Sequence, residues 1–176
     1  FHSLAGDLIV SHCNEWIELN FPLYNLDALS SSDIDYDLLQ QLCQTTPLYV
    51  GLSKNCLFLE LQSESDVRNL TIDYSLLKKL PYRSLLVTAK SDTLKLDFVF
   101  RYFAPTVAIE EDPVCGSAHC RLVPYWHQKS NKIHFTSMAL SKRGGIVKSS
   151  LINEQRVLIS GKAFCFLQGN LHLNLS

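Results

Sequence analysis

The sequence predicts an α+β fold. Two observations carry this: short strands come first, then short helices, then strands again, and parallel strand–helix–strand units are few. A third bounds the size. Of 176 residues, 47% are hydrophobic, enough to build a real core, and the length suits one domain or a domain with a piece of a second.

Two short strands are expected within residues 1–22. Leu8 to Val10 lies in the first, and Trp16 to Phe21 alternates apolar and polar residues up to Pro22. Residues 23–34, rich in Ser and Asp, read as a linker. Ser32 or Asp33 is then placed to cap a helix over Tyr36 to Cys43, with Leu38, Leu39 and Leu42 on one face. Strands follow at Leu48 to Gly51 and Cys56 to Leu61. Ser63 precedes a helix with Asp66 at the capping-box position, and a shorter helix is expected over Asp73 to Lys79, stopped by Pro81. Leu85 to Ala89 and Leu94 to Phe103 read as strands. Residues 104–115 read as an irregular loop. Gly116 to His127 has helical apolar spacing, with a kink or early end expected at Pro124. The tail reads as strands at Ile133 to Met138, Gly145 to Lys148, Arg156 to Ile159, Ala163 to Leu167 and Leu171 to Leu175.

Charged residues make up only 19% and the net charge is −1, so nothing marks a nucleic-acid or anionic-membrane partner. No apolar run has the length of a membrane span and no segment resembles a signal peptide, which favours a cytoplasmic setting. Six cysteines show no zinc-like spacing. They read as free buried thiols in a reducing compartment, with disulfide or metal as the alternative. The chain opens on Phe1 inside an apparent strand, so a fragment lacking its front is expected.

Chemistry concentrates in Asp97 to Trp126. A strand ends at Phe103, a loop brings Glu110, Glu111 and Asp112 together, and Pro113 fixes the backbone just beyond them. Gly116-Ser117-Ala118 then opens a helix. A helix start exposes unpaired N–H groups with partial positive charge, a ready cradle for a carboxylate or phosphate. Gly116 admits close approach, Ser117 adds a hydroxyl and Asp112 stands at the lip. Those are parts for moving a proton on a small carboxylic acid. The plainer alternative is that the acids and Ser117 only cap the first turn.

Arg101-Tyr102-Phe103-Ala104-Pro105, then Glu111-Asp112-Pro113-Val114, Gly116-Ser117-Ala118-His119 and Pro124-Tyr125-Trp126, resemble the signature of the PhzF-like (phenazine-biosynthesis-like) family. They are especially similar to its eukaryotic-type members, also called MAWD-binding proteins. Phe1 to Val10, Glu18 to Pro22, Ser141 to Gly145 and Ala163 to Leu171 resemble further family segments. The resemblance implies a diaminopimelate-epimerase-like half-barrel, a curved, mostly antiparallel sheet around a central helix, with the front of the first half missing. It divides the chain into the last strands of the N-terminal half (1–22), a C-terminal half (23–160) and a closing strand returning to the first half (161–176), the outer segments pairing with each other.

The resemblance also implies a cofactor-free isomerase acting on a small carboxylate-bearing metabolite, a homodimer when full length. Asp112 would handle the proton, and Gly116, Ser117 and the Ala118 backbone would grip the carboxylate. The family's catalytic glutamate and a cleft histidine belong to the first half and have no counterpart here. The family usually has Thr at the position of Cys115, whereas related diaminopimelate epimerases carry a catalytic cysteine just before the equivalent Gly-Ser. Cys115 is therefore either a neutral replacement or one thiol of a two-cysteine racemase, activated by a pKa lowered at the helix start. A third alternative is a non-catalytic protein-interaction module. Arg101 could grip an anion or pair with Glu110 or Glu111, His119 is expected in packing, and Arg143 as a turn stabiliser.

Overall fold

The computed structural model describes residues 2–3, 6–30 and 35–170. Its centre is an open, largely antiparallel sheet with helices on both faces. A two-residue ladder, β1 (His2–Ser3) with β2 (Gly6–Asp7), precedes it. In chain order the sheet elements are β3 (Ile9–Cys13), β4 (Trp16–Pro22), β5 (Asp27–Ala28), β6 (Tyr49–Ser53), β7 (Cys56–Glu60), β8 (Ser84–Lys90), β9 (Phe98–Ala104), β10 (Ile109–Asp112), β11 (His134–Ala139), β12 (Gly145–Asn153) and β13 (Arg156–Gly161). The helices are α1 (Tyr36–Cys43), α2 (Glu64–Asn69), α3 (Tyr74–Leu77) and α4 (His119–Ser130).

The strand order is β3-β4-β13-β12-β11-β9-β8-β7-β6-β5, with β10 beside β9. Only β7–β8 and β9–β11 run parallel. A parallel pair needs a crossover. The first crossover carries α2 and α3, the second carries β10 and α4, and their core contacts lie on opposite faces of the sheet.

Period-two alternation sorts the side chains. Leu57 and Leu59 of β7, Leu85, Val87 and Ala89 of β8, and Val99 and Phe103 of β9 pack with Leu39, Leu42, Val67 and Leu77 of the short helices. Cys56, Phe58, Leu86, Phe98 and Phe100 point the other way, onto Ala118, Leu122, Val123 and Trp126 around α4. Because both faces are covered, these strands read as nearly continuous apolar runs.

The helix caps follow local chemistry. Ser63 Oγ accepts from the Asp66 N–H at 3.1 Å, the cap expected at that spacing, while the Asp66 carboxylate accepts from the Ser63 hydroxyl at 2.8 Å in place of the Ser63 backbone N–H. Helix α1 has the expected bounds, but its cap is Asp35, which accepts from Leu38 N–H at 2.9 Å; Ser32 and Asp33 lie outside the described residues.

Three further expectations are corrected. Pro124 does not end α4, which runs on to Ser130. Proline removes the N–H that would bond the Cys120 carbonyl; that carbonyl instead accepts from Tyr24 N–H at 2.9 Å, so the helix is held across the gap. Residues 104–115 are not wholly irregular. Pro105–Val107 forms a 3₁₀ turn and Ile109–Asp112 a strand, because β9 runs past β11 and leaves its end free to pair with β10. Finally, Ala163 to Leu167 is not a strand: none of the described strands pairs with it, and Phe164, Phe166 and Leu167 are exposed. Leu171 to Leu175 lies outside the described residues. The expected pairing of residues 1–22 with 161–176, apart from the middle of the chain, is met in strand pairing only at Ile17 and Gly161; Glu18 to Pro22 pairs with residues 156–160, inside the segment assigned to the C-terminal half. No helix among the described residues is long and apolar enough to cross a membrane.

Candidate functional site

The register of β9 against β10 decides which acid faces α4. Asp112 lies opposite Tyr102, whose ring packs on the α4 side. Glu111 points to the opposite face, where both its oxygens bind Arg101: Nε to Oε1 at 2.6 Å and Nη2 to Oε2 at 3.1 Å. Arg101 Nη1 also donates to the Val67 and Leu70 carbonyls at 3.2 and 2.6 Å, satisfying the end of α2. Arg101 is thus committed to structure through a two-pronged ion pair. Glu110 is exposed.

Beyond Asp112 the chain turns sharply. The Asp112 carboxylate accepts from Val114 N–H at 3.0 Å, fixing the turn through Pro113. The segment Ser141 to Gly145 braces it: Ser141 Oγ donates to the Pro113 carbonyl at 2.6 Å, and Gly144 N–H donates to Ser141 Oγ at 3.0 Å. A Cβ at Gly145 would stand 2.5 Å from Val114 Cγ2, so only glycine lets the two segments meet. The bracing comes from Ser141 and the glycines. Arg143 is exposed and, with Lys142, rims a surface cleft against Glu111 and Pro113.

The helix begins where the sequence places it. Gly116–Ala118 forms a 3₁₀ turn that runs into α4, and no side chain caps it. Open space lies beside Gly116, Ser117 is exposed and Ala118 is fully buried. Uncapped amides, an exposed hydroxyl and a part-buried carboxylate therefore meet within six residues, an arrangement able to hold an anion beside a proton-handling group.

Cys115 is a free buried thiol, as expected, whereas Cys13 and Cys165 are exposed. Cys115 Sγ is 3.4 Å from Ser117 Oγ. Burial pushes its pKa up to about 12; the Ser117 contact works against this, and the nearby Asp112 carboxylate adds to it. The lowering expected at a helix start is absent because desolvation outweighs it.

His119 lies in packing, as expected, and is fully buried. Its Nδ1 is 3.2 Å from the Gly116 carbonyl and its Nε2 is 2.8 Å from Ser137 Oγ. The ring meets Phe100 edge-on. Burial lowers its pKa to about 4, so the imidazole is neutral at physiological pH. It ties the turn that opens α4 to β11.

Sequence reasoning passed over Arg121, Ser53, Lys54 and Tyr24, which the fold gathers beside the first turn of α4. Arg121 follows Ser117 by four, so it shares that helix face, a signal available from spacing. Its neighbours are far away in sequence and were not. Among the described residues no group of three or more His, Cys, Asp or Glu is placed to hold a metal ion.

A family model described as phenazine biosynthesis-like protein (PhzC-PhzF) matches residues 5–169. An uncharacterised isomerase of Halalkalibacterium halodurans is 39% identical over 173 residues, covering 98% of this chain and 64% of that protein. A human phenazine biosynthesis-like domain-containing protein is 33% identical over 190 residues, covering 97% and 64%. A crystal structure of a PhzF-family protein from Enterococcus faecalis superposes with a TM-score of 0.86 at 34% identity, covering 98% of this chain and 64% of that one. The chain thus spans about 64% of the length of these relatives.

Proposed function

The chain belongs to the phenazine biosynthesis-like family, and from that premise we propose that it carries one wall of an isomerase site that moves a proton on a small, carboxylate-bearing metabolite without a cofactor. The observation that carries this reading is the uncapped Gly116–Ala118 turn with exposed Ser117, set beside Asp112 on the α4 side of the sheet. The amides of Gly116 and Ala118 and the Ser117 hydroxyl hold the substrate carboxylate. Asp112, locked by Val114 N–H, stands at the adjacent carbon. Its acid/base partner comes from the other half of the fold. In this reading residues 1–22 and 161–176 belong to that half, residues 23–160 form the second half, and the full-length protein is a cytoplasmic homodimer.

The test is solvent-deuterium uptake at carbon in a panel of small carboxylic acids, run on the full-length protein and on the 176-residue chain. Exchange is expected with the full-length protein, to be abolished by Asp112→Ala, and not with the 176-residue chain. Exchange by the 176-residue chain would overturn the half-site reading. Cys115→Ser separates the two enzyme mechanisms: near-full retention supports carboxylate chemistry, complete loss the two-thiol racemase. A thiol raised to about 12 supports the carboxylate reading. No exchange by the full-length protein on any substrate would leave the interaction module.

A further inference from the structure

Arg121 sits on the first full turn of α4 and is buried, with only 7% of its surface exposed. A buried guanidinium ordinarily has a carboxylate partner, because burying an unpaired charge is costly. Among the described residues Arg121 has none. Its Nη2 makes one long bond to the Ser53 carbonyl at 3.3 Å, and its Nε has no hydrogen-bond partner. Ser53 is 3% exposed, and its hydroxyl also lacks a partner.

A second cation is brought to the same place. Ser53-Lys54-Asn55-Cys56 is a two-residue hairpin in which Lys54 and Asn55 both take positive φ, 46° and 61°. This turn sets Lys54 Nζ 3.7 Å from the centre of the Tyr24 ring, and the Arg121 guanidinium carbon is 4.9 Å from that same centre. Two like charges share one ring. The neighbouring thiols do not compensate: Cys120 is pushed up to about 11 by burial and Cys56 is also raised by burial, so both stay protonated beside Arg121. Ser53, Lys54 and Tyr24 line a cleft of about 420 Å³ together with Pro22, Leu23, Asn25 and exposed Asp27; Arg121 is not part of this lining but meets it through Tyr24 and Ser53.

We infer that Arg121, Ser53 and Lys54 form an oxyanion-binding subsite, sized for a carboxylate or phosphate group, one helical turn from Ser117. Such an anion would pair with Lys54 Nζ in the cleft and, where the side chains open to admit it, accept from Arg121 Nε and the Ser53 hydroxyl, which are shielded from solvent in this structure, neutralising the cations gathered on Tyr24. The subsite stands on its own observations, independent of the isomerase reading.

The test is a titration of the 176-residue chain with inorganic phosphate and, separately, acetate, followed by proton–nitrogen NMR of arginine Nε–H groups and backbone amides. The Arg121 Nε–H signal and the amides of Tyr24, Ser53 and Lys54 should move together and saturate. Arg121→Met and Lys54→Ala should each weaken binding about tenfold. Lys54 is exposed, so its variant reports on binding even where Arg121→Met does not fold. Response to one anion alone identifies the group preferred; response to both defines a general oxyanion site. Absence of a saturable shift with either anion, or affinities unchanged in Lys54→Ala and in any folded Arg121→Met, would overturn the inference.

Discussion

The two faces of the sheet hold two unlike cores. The face under α1 to α3 is aliphatic, built from Leu39, Leu42, Leu59, Leu85, Val87 and their neighbours. The face around α4 is aromatic and carries buried polar groups: Trp126 Nε1 donates to Thr88 Oγ1 at 3.2 Å, Tyr125 OH and Lys129 Nζ both bind the Glu60 carboxylate at 2.6 Å, and His119 bonds Ser137. Residues alternating along the same strand are thus assigned to different tasks. The aliphatic face draws mainly on burial, which is insensitive to pH, although it also holds the Arg101–Glu111 pair and buried Glu64 bonded to Ser91. The α4 face supplies oriented bonds that fix where the helix opens, and it is there that Asp112, Ser117 and Arg121 gather.

The largest effect is expected on the aliphatic face. Leu85→Ala leaves a cavity where no exposed neighbour can collapse into it, and should cost about 2–5 kcal/mol of unfolding free energy. Urea unfolding at several pH values checks this: the loss should be the same at each. A loss that varied with pH would break the division between the faces.

A comparable but pH-dependent effect is expected at His119. Its pKa falls from an ordinary 6.5 to about 4 on folding. Between those values the unfolded chain binds a proton that the folded chain refuses, so stability falls as pH drops through this window. The full loss, reached below about pH 4, is roughly 3 kcal/mol. His119→Gln should lower stability at neutral pH and flatten this acid limb. Unfolding of both proteins across that pH range gives the readout; an acid limb of unchanged slope in the variant would assign it to other groups.

How much of this was legible in sequence follows from the same contrast. Apolar alternation and capping residues gave the strands at Cys56 to Glu60 and Leu85 to Ala89, the helix bounds of α1 and the Ser63–Asp66 cap, because each depends on neighbours within a few residues. They also gave the later part of the expected Leu94 to Phe103 strand, which starts only at Phe98 because Leu94 to Asp97 turns. The helix opening at Gly116 was legible for the same reason. What was hidden depends on partners far along the chain. Strand β10 reads as an acidic loop because it is made by the free end of β9, not by its own pattern. The Ala163 to Leu167 segment has a strand's composition without a paired neighbour among the described residues. Arg121 was missed because Ser53 lies 68 positions away, and the depth that raises the Cys115 thiol is likewise set by tertiary packing.

The smallest effect is expected where local rules forecast the largest defect. An interior proline ordinarily costs a helix about 3 kcal/mol relative to alanine, through its lost N–H and its clash with the preceding turn. In α4 the carbonyl that loses its partner, Cys120 O, is served by Tyr24 N–H at 2.9 Å. This bond also ties the segment after β4 to the helix, close to where Arg121 meets the Tyr24 ring. Pro124→Ala restores a donor to a carbonyl that is already satisfied, though its second lone pair can accept. The gain should therefore stay below about 1 kcal/mol, well short of the intrinsic difference. Denaturant unfolding measures it, and hydrogen exchange at Tyr24 provides the control: the amide should stay protected in the variant. A gain near 3 kcal/mol, or loss of Tyr24 protection, would mean that the strand-to-helix bond does not compensate for the proline and that α4 is held by its aromatic packing alone.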